Sequence, residues 1–69
     1  MRLSARNSLP GIVRQIEPGA VNAEVTIELA PQLHVVSVIT LDAVKSLNLK
    51  VGDRAYAVIK ASSVMIGVD

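Results

Sequence analysis

Between Asn22 and Leu29 the chain alternates without a break, with Ala23, Val25, Ile27 and Leu29 on one side and Asn22, Glu24, Thr26 and Glu28 on the other. A period of two means a strand with one buried and one wet face, expected here over Ala20–Leu29. Pro31 closes it, Gln32 belongs to the turn, and the next run, Leu33–Thr40, departs from the pattern. Leu33, Val35 and Ile39 share one face, yet Val36 and Val38 make the other face apolar as well. A strand apolar on both faces needs cover on both. A chain of 69 residues has no second core to provide it. Another copy of the chain is the simplest cover.

Size points the same way. Ordering costs about 1.5 kcal/mol per residue, which cancels nearly all the hydrophobic gain of a lone core this small. The chain has no Cys and one His, His34. Disulfides and thiolate metal sites are therefore excluded, and an imidazole site is thinly supplied. Oligomerisation remains. Half the residues are apolar, but Phe and Trp are missing and Tyr56 is the one aromatic, so the core must be built from Val, Ile, Leu and Ala.

The other elements follow from punctuation and period. Leu3–Asn7 reads as a short opening strand with Ser4 and Arg6 on one face. Pro10-Gly11 interrupts, and Gly11–Glu17 forms a second strand rich in β-branched residues. Pro18-Gly19 suits a type II turn with Gly19 at positive φ. From Thr40 to Leu47 the period changes to helical, with Leu41, Val44 and Leu47 on one side. Thr40 is placed to cap this helix, Asp42 and Lys45 match its dipole, and Asn48 suits a left-handed C-terminal cap. Gly52 supplies a turn, Arg54–Lys60 a further strand, and Val64–Val68 a last short one. The order β-β-β-β-α-β-β predicts a single domain over residues 1–69. Its expected class is all-β, a small OB-like Greek-key barrel of five to six strands with one short helix.

Several functions are disfavoured. The carboxylates are dispersed, and Glu24 and Glu28 on one wet strand face are ordinary solubilising charge. His34 has no Ser or Asp beside it in a recognisable catalytic arrangement, and the four glycines form no phosphate-cradling loop. The chain is read as a binding protein and not an enzyme. A net charge of +1 and a single aromatic are a poor basis for binding nucleic acid. No apolar run reaches the roughly 20 residues that span a bilayer, and Met1-Arg2-Leu3-Ser4 leads straight into patterned sequence. A cytoplasmic location is expected by default.

What remains is a recurrent pairing of cation and hydroxyl. Ser4 lies two residues from Arg6, and Lys60 two from Ser62, with no carboxylate in either stretch. Arg offers a planar fork of donors, Lys a point charge and Ser adjustable hydroxyls. Thr40 and the backbone N–H groups of Leu41, Asp42 and Ala43 open the helix, although the Asp42 carboxylate would have to turn aside. Such a set holds an oxyanion. The same residues also suit an ordinary hydroxyl-rich surface, and composition alone leaves both readings open.

Five stretches together carry a resemblance: Ser4-Ala5-Arg6-Asn7, Gly11, Gly19-Ala20-Val21-Asn22-Ala23-Glu24-Val25, Val38-Ile39-Thr40 and Val58-Ile59-Lys60-Ala61-Ser62. In these motifs and their spacing the chain resembles, nearly end to end, the molbindins, the stand-alone Mop or molybdate-type TOBE domains. The resemblance implies an OB-like barrel in a homohexamer, a trimer of dimers, that binds molybdate or tungstate between subunits for storage or homeostasis. It implies that Ser4, Arg6, Lys60, Ala61 and Ser62 form one wall of a site. Thr40 and the N–H groups through Ala43 would come from a neighbouring subunit. A possible second oxyanion site falls on Gly19, Ala20, Val21 and Asn22. The chain departs from the pattern at Ala43, where many relatives carry Ser, and at Asn48, where many carry Gly. The first departure leaves a second reading, an interaction or regulatory module of the same fold with a degenerate anion site.

Overall fold

The alternating run becomes β2 (Asn22–Ala30), the central element of a hairpin with β3 (Leu33–Thr40). Pro31 and Gln32, the latter at φ 64°, turn the chain between them. The computed structural model describes residues 1–69. β1 (Asn7–Pro18) precedes this hairpin, and the helix α1 (Leu41–Ser46) and strand β4 (Arg54–Ile59) follow it. The four strands form one antiparallel sheet in the order β3-β2-β1-β4. Three sequential strands with the fourth returning beside the first make a Greek key. The all-β, OB-like class with one short helix is realised in this curled sheet.

The strand count is lower than the punctuation suggested. Leu3–Arg6 is not a strand, and β1 runs unbroken through Pro10 and Gly11. Over Asn7–Ile12, β1 pairs with β4, and over Ile12–Pro18 it pairs with β2. Pro10 therefore lies where β2 makes no demand on its missing N–H, a position that tolerates proline. Gly11 lies where β1 passes from one neighbour to the other. A Cβ there would come within 2.5 Å of the Glu28 carbonyl oxygen and of Ile27 Cγ2. Its role is close backbone approach and not a turn. The final expected strand, Val64–Val68, is also unpaired.

A bulge at Arg14 corrects the register. Val13 faces Ile27 and Gln15 faces Thr26, so Arg14 has no partner of its own. The extra residue lets Val13 and Ile16, three apart, both face inward. Arg14 turns outward, where its Nε donates to Glu28 Oε1 at 2.9 Å. Val13 is fully buried, with Val25, Ile27 and Ala57 around it.

The end of α1 bears out the C-terminal cap. Asn48 has φ 52°, its N–H donates to the Lys45 carbonyl, and the Leu49 N–H reaches the Val44 carbonyl. This is the Schellman pattern, with Val44 and Leu49 both packed on the core. Gly52, at φ 98°, donates to the Val13 carbonyl and Asp53 accepts from Val13 N–H, which fastens this loop to β1. Gly19 is not among the positive-φ residues, so the expected type II turn is absent. Its N–H instead donates to the Asn22 carbonyl at 2.7 Å.

Gly11→Ala should destabilise the fold by about 1–3 kcal/mol, because the new methyl meets backbone that cannot yield. A urea unfolding series at fixed chain concentration checks this.

Candidate functional site

The β1–β4 ladder determines which cations meet. Its last rung pairs Asn7 with Ile59, and Asn7 Nδ2 donates to the Ile59 carbonyl at 3.3 Å. Arg6 precedes that rung on one strand and Lys60 follows it on the other. Two fixed positive charges thus flank one end of the sheet. The ion pairs in the structure, Arg14–Glu28 and His34–Glu28, involve neither of them. Both side chains are exposed, as are Ser4 and Ser62.

Immediately after Lys60 the chain makes a 3₁₀ turn over Ala61–Ser63. Ser63 N–H donates to the Lys60 carbonyl and Val64 N–H to the Ala61 carbonyl. The N–H groups of Ala61 and Ser62 open the turn and make no backbone hydrogen bond. Unused donors at the start of a helical turn suit an anion. Sequence reading placed Ala61 and Ser62 in the site but took the stretch as a strand break. The lack of any large apolar side chain over Ala61-Ser62-Ser63 is the one local signal of the turn.

Thr40 lies elsewhere. It ends β3 opposite Asn22, one rung beyond the Ala23–Ile39 pair, and Ala23 in turn pairs with Pro18. Arg6 and Lys60 therefore sit beyond the Asn7 end of β1, and Thr40 sits beyond the Pro18 end. The Thr40 side chain caps α1 as expected, with its Oγ1 accepting from Ala43 N–H at 3.0 Å. The Leu41 N–H is also taken, by the Val21 carbonyl at 2.9 Å. Two of the backbone donors expected for an anion are thus already engaged. Thr40 still has its own hydroxyl proton to donate.

The Leu41–Val21 bond brings the Gly19–Asn22 hairpin against the start of α1. Ala20 and Val21 have N–H groups without partners, but the adjoining notch of about 260 Å³ is lined by Glu17 and Glu24. Those carboxylates face each other across β1 and β2, and Gln15 Nε2 donates to Glu17 Oε2 at 3.0 Å. Their field opposes an anion. No group of three or more His, Cys, Asp or Glu is arranged to hold a metal ion, and no helix is long and apolar enough to cross a membrane.

Comparison with known proteins gives a consistent picture. The TOBE domain model matches residues 3–66. The chain is 54% identical over 69 residues to a probable molybdenum-pterin-binding protein of Haemophilus influenzae, with 100% of both chains covered. It superposes on MopII from Clostridium pasteurianum with a TM-score of 0.90 at 42% identity, covering 97% of this chain and 100% of that one. The cytoplasmic molybdate-binding protein ModG, solved with molybdate bound, gives a TM-score of 0.93 at 55% identity. That match covers 100% of this chain and 49% of ModG.

Thr40→Ala should cost about 1 kcal/mol through loss of the cap. Thr40→Ser should restore most of it. Thermal unfolding of the three proteins checks the order.

Proposed function

The chain belongs to the TOBE domain family, and we propose that it is a cytoplasmic oxyanion-binding protein that takes up molybdate, or tungstate, at sites between subunits. Its role on this reading is storage or homeostasis of the ion, without catalysis. The relatives described above are named as binding proteins, which supports the absence of chemistry.

One observation carries the reading. Arg6 and Lys60 flank the same rung with no carboxylate partner, beside the unused N–H groups of Ala61 and Ser62. Like charges are brought together at a cost unless an anion lies between them. A tetrahedral dianion offers acceptors on every side, so a wall rich in donors matches it. Hydrogen phosphate carries a proton that requires an acceptor, and the Ser4 and Ser62 hydroxyls are the side-chain groups of this wall able to accept one. Sulfate is smaller, so its exclusion depends on the pocket's size.

The wall is only half a site. Thr40 and Ala43 lie beyond the opposite end of β1 in the same chain, so on this reading they come from a neighbouring copy. Thr40 donates its hydroxyl proton to the anion, and the Ala43 N–H, bound to Thr40 Oγ1, aims that hydroxyl. Ala43 needs no hydroxyl for this role. A second site at Gly19-Ala20-Val21-Asn22 would need a neighbour's cations to offset Glu17 and Glu24. The assembly proposed is a homohexamer, a trimer of dimers.

Equilibrium dialysis against molybdate, with sulfate and phosphate as competitors, tests the function. Saturable uptake that phosphate fails to displace is expected. Arg6→Ala removes a charge-assisted donor and should weaken uptake by about ten- to a hundredfold while light scattering shows the same oligomer. Unchanged uptake by Arg6→Ala would remove Arg6 from the site.

A further inference from the structure

Asparagine is a poor strand former, yet Asn7 opens β1. Its side chain supplies a reason. Asn7 is half-buried, and its Nδ2 donates to the Ile59 carbonyl oxygen on β4 at 3.3 Å. A carbonyl only accepts, so the amide nitrogen and not the amide oxygen faces it. Among the hydrogen bonds between side chain and backbone, this one alone joins residues distant in sequence. Those of Thr40, Ser46 and Asp53 each span three residues.

The bond lies directly behind the two cations. Opposite residues of a ladder share a face, and successive residues alternate. Asn7 and Ile59 are opposite and half-buried, whereas Arg6 and Lys60, one step beyond them on each strand, are exposed. Asn7 therefore faces away from the anion wall and is no ligand of it. What it holds is the peptide that joins Ile59 to Lys60. Lys60 is still extended, at φ −62° and ψ 133°, and the unused N–H groups of Ala61 and Ser62 follow at once. Strand pairing stops at Asn7 and Ile59. Terminal rungs fray most readily, and Arg6 and the Lys60-Ala61-Ser62 arm both hang from this one.

We propose that Asn7 is a positioning residue for the anion wall. By tying the Ile59–Lys60 peptide to the start of β1, it fixes the separation of Arg6 from the Lys60-Ala61-Ser62 arm before the anion arrives. The inference rests on the binding function proposed above. In the empty site two like charges push the strand ends apart, and the Asn7 bond opposes this without adding charge. Order already present in the folded chain need not be supplied by binding.

Molybdate uptake by equilibrium dialysis is compared for the unaltered chain, Asn7→Ala, Arg6→Ala and the double variant, with light scattering on each. Asn7→Ala should bind about three- to tenfold more weakly, the worth of one net hydrogen bond, with the oligomer unchanged. A residue that acts through Arg6 loses influence once Arg6 is gone. In the Arg6→Ala chain the same substitution should therefore cost about twofold or less. Additive losses, the mark of a merely structural role, overturn the inference, and so does an Asn7→Ala chain that binds like the unaltered one. Weakened uptake that comes only from dissociation of the oligomer also overturns it. Asn7→Asp keeps the shape and loses the donor, so it serves the same comparison if Asn7→Ala does not fold, and it should lose about threefold or more. Absence of saturable uptake by the unaltered chain overturns the binding function itself. With that uptake present, a failure of the Asn7 variants falls on the positioning role alone.

Discussion

The fold depends on a core too small for its sheet. Val13, Ala23, Val25, Ile27 and Ala57 are the only buried residues, and all lie on the concave face. A monomer of 7.3 kDa is expected to expose about 4,200 Å², whereas this chain exposes 5528 Å². Large apolar side chains contribute to the difference. Val36 and Val38 on the outer face are 57% and 65% exposed, and the Val64–Val68 segment is bare. Exposed apolar surface of this extent marks an interaction site. Within the sheet, Gly11 and the bulge at Arg14 give the curl that gathers these few core residues, and each is a local device with no slack. Gly11 has no room for a methyl, and the bulge alone puts Val13 and Ile16 on one face.

That same curl separates the chemistry. β1 is the spine to which both halves of the proposed anion site are tied, Arg6 and Lys60 beyond one end and Thr40 beyond the other. On the reading proposed above, one chain carries two complementary half-sites that meet those of different neighbours. Assembly and binding are then linked by geometry: contacts between copies that cover apolar surface also bring the half-sites together. The proposed binding half at Lys60-Ala61-Ser62 is continuous in sequence with the exposed apolar segment Val64–Val68.

Much of this was legible in the residues. The alternation of Asn22–Leu29 defined β2 and its buried face, and the two-faced apolar run gave β3 as a strand needing cover on a second face. Thr40 and Asn48 gave both ends of α1 through their preferred capping conformations. The errors share a cause. Pro-Gly pairs were read as turns from local preference, whereas Pro10 and Gly11 answer to strand neighbours distant in sequence, and Gly19 to a hydrogen bond with Asn22. A bulge is equally invisible locally, because Arg14 and Gln15 differ in register and not in kind. Val64–Val68 has the composition of a strand and no partner within its own chain. Arg6 and Lys60 were each identifiable as cations near hydroxyls, but their meeting depends on the Asn7–Ile59 rung. The engagement of the Leu41 N–H by the Val21 carbonyl was likewise beyond sequence reading.

The central claim is that the anion site exists only between copies. Equilibrium dialysis of molybdate across a dilution series, with light scattering on each sample, tests it most directly. The account predicts that bound molybdate per chain falls in step with the oligomer as the protein is diluted, and that added molybdate shifts dissociation to lower protein concentration. Monomers that bind molybdate with the affinity of the oligomer would contradict it.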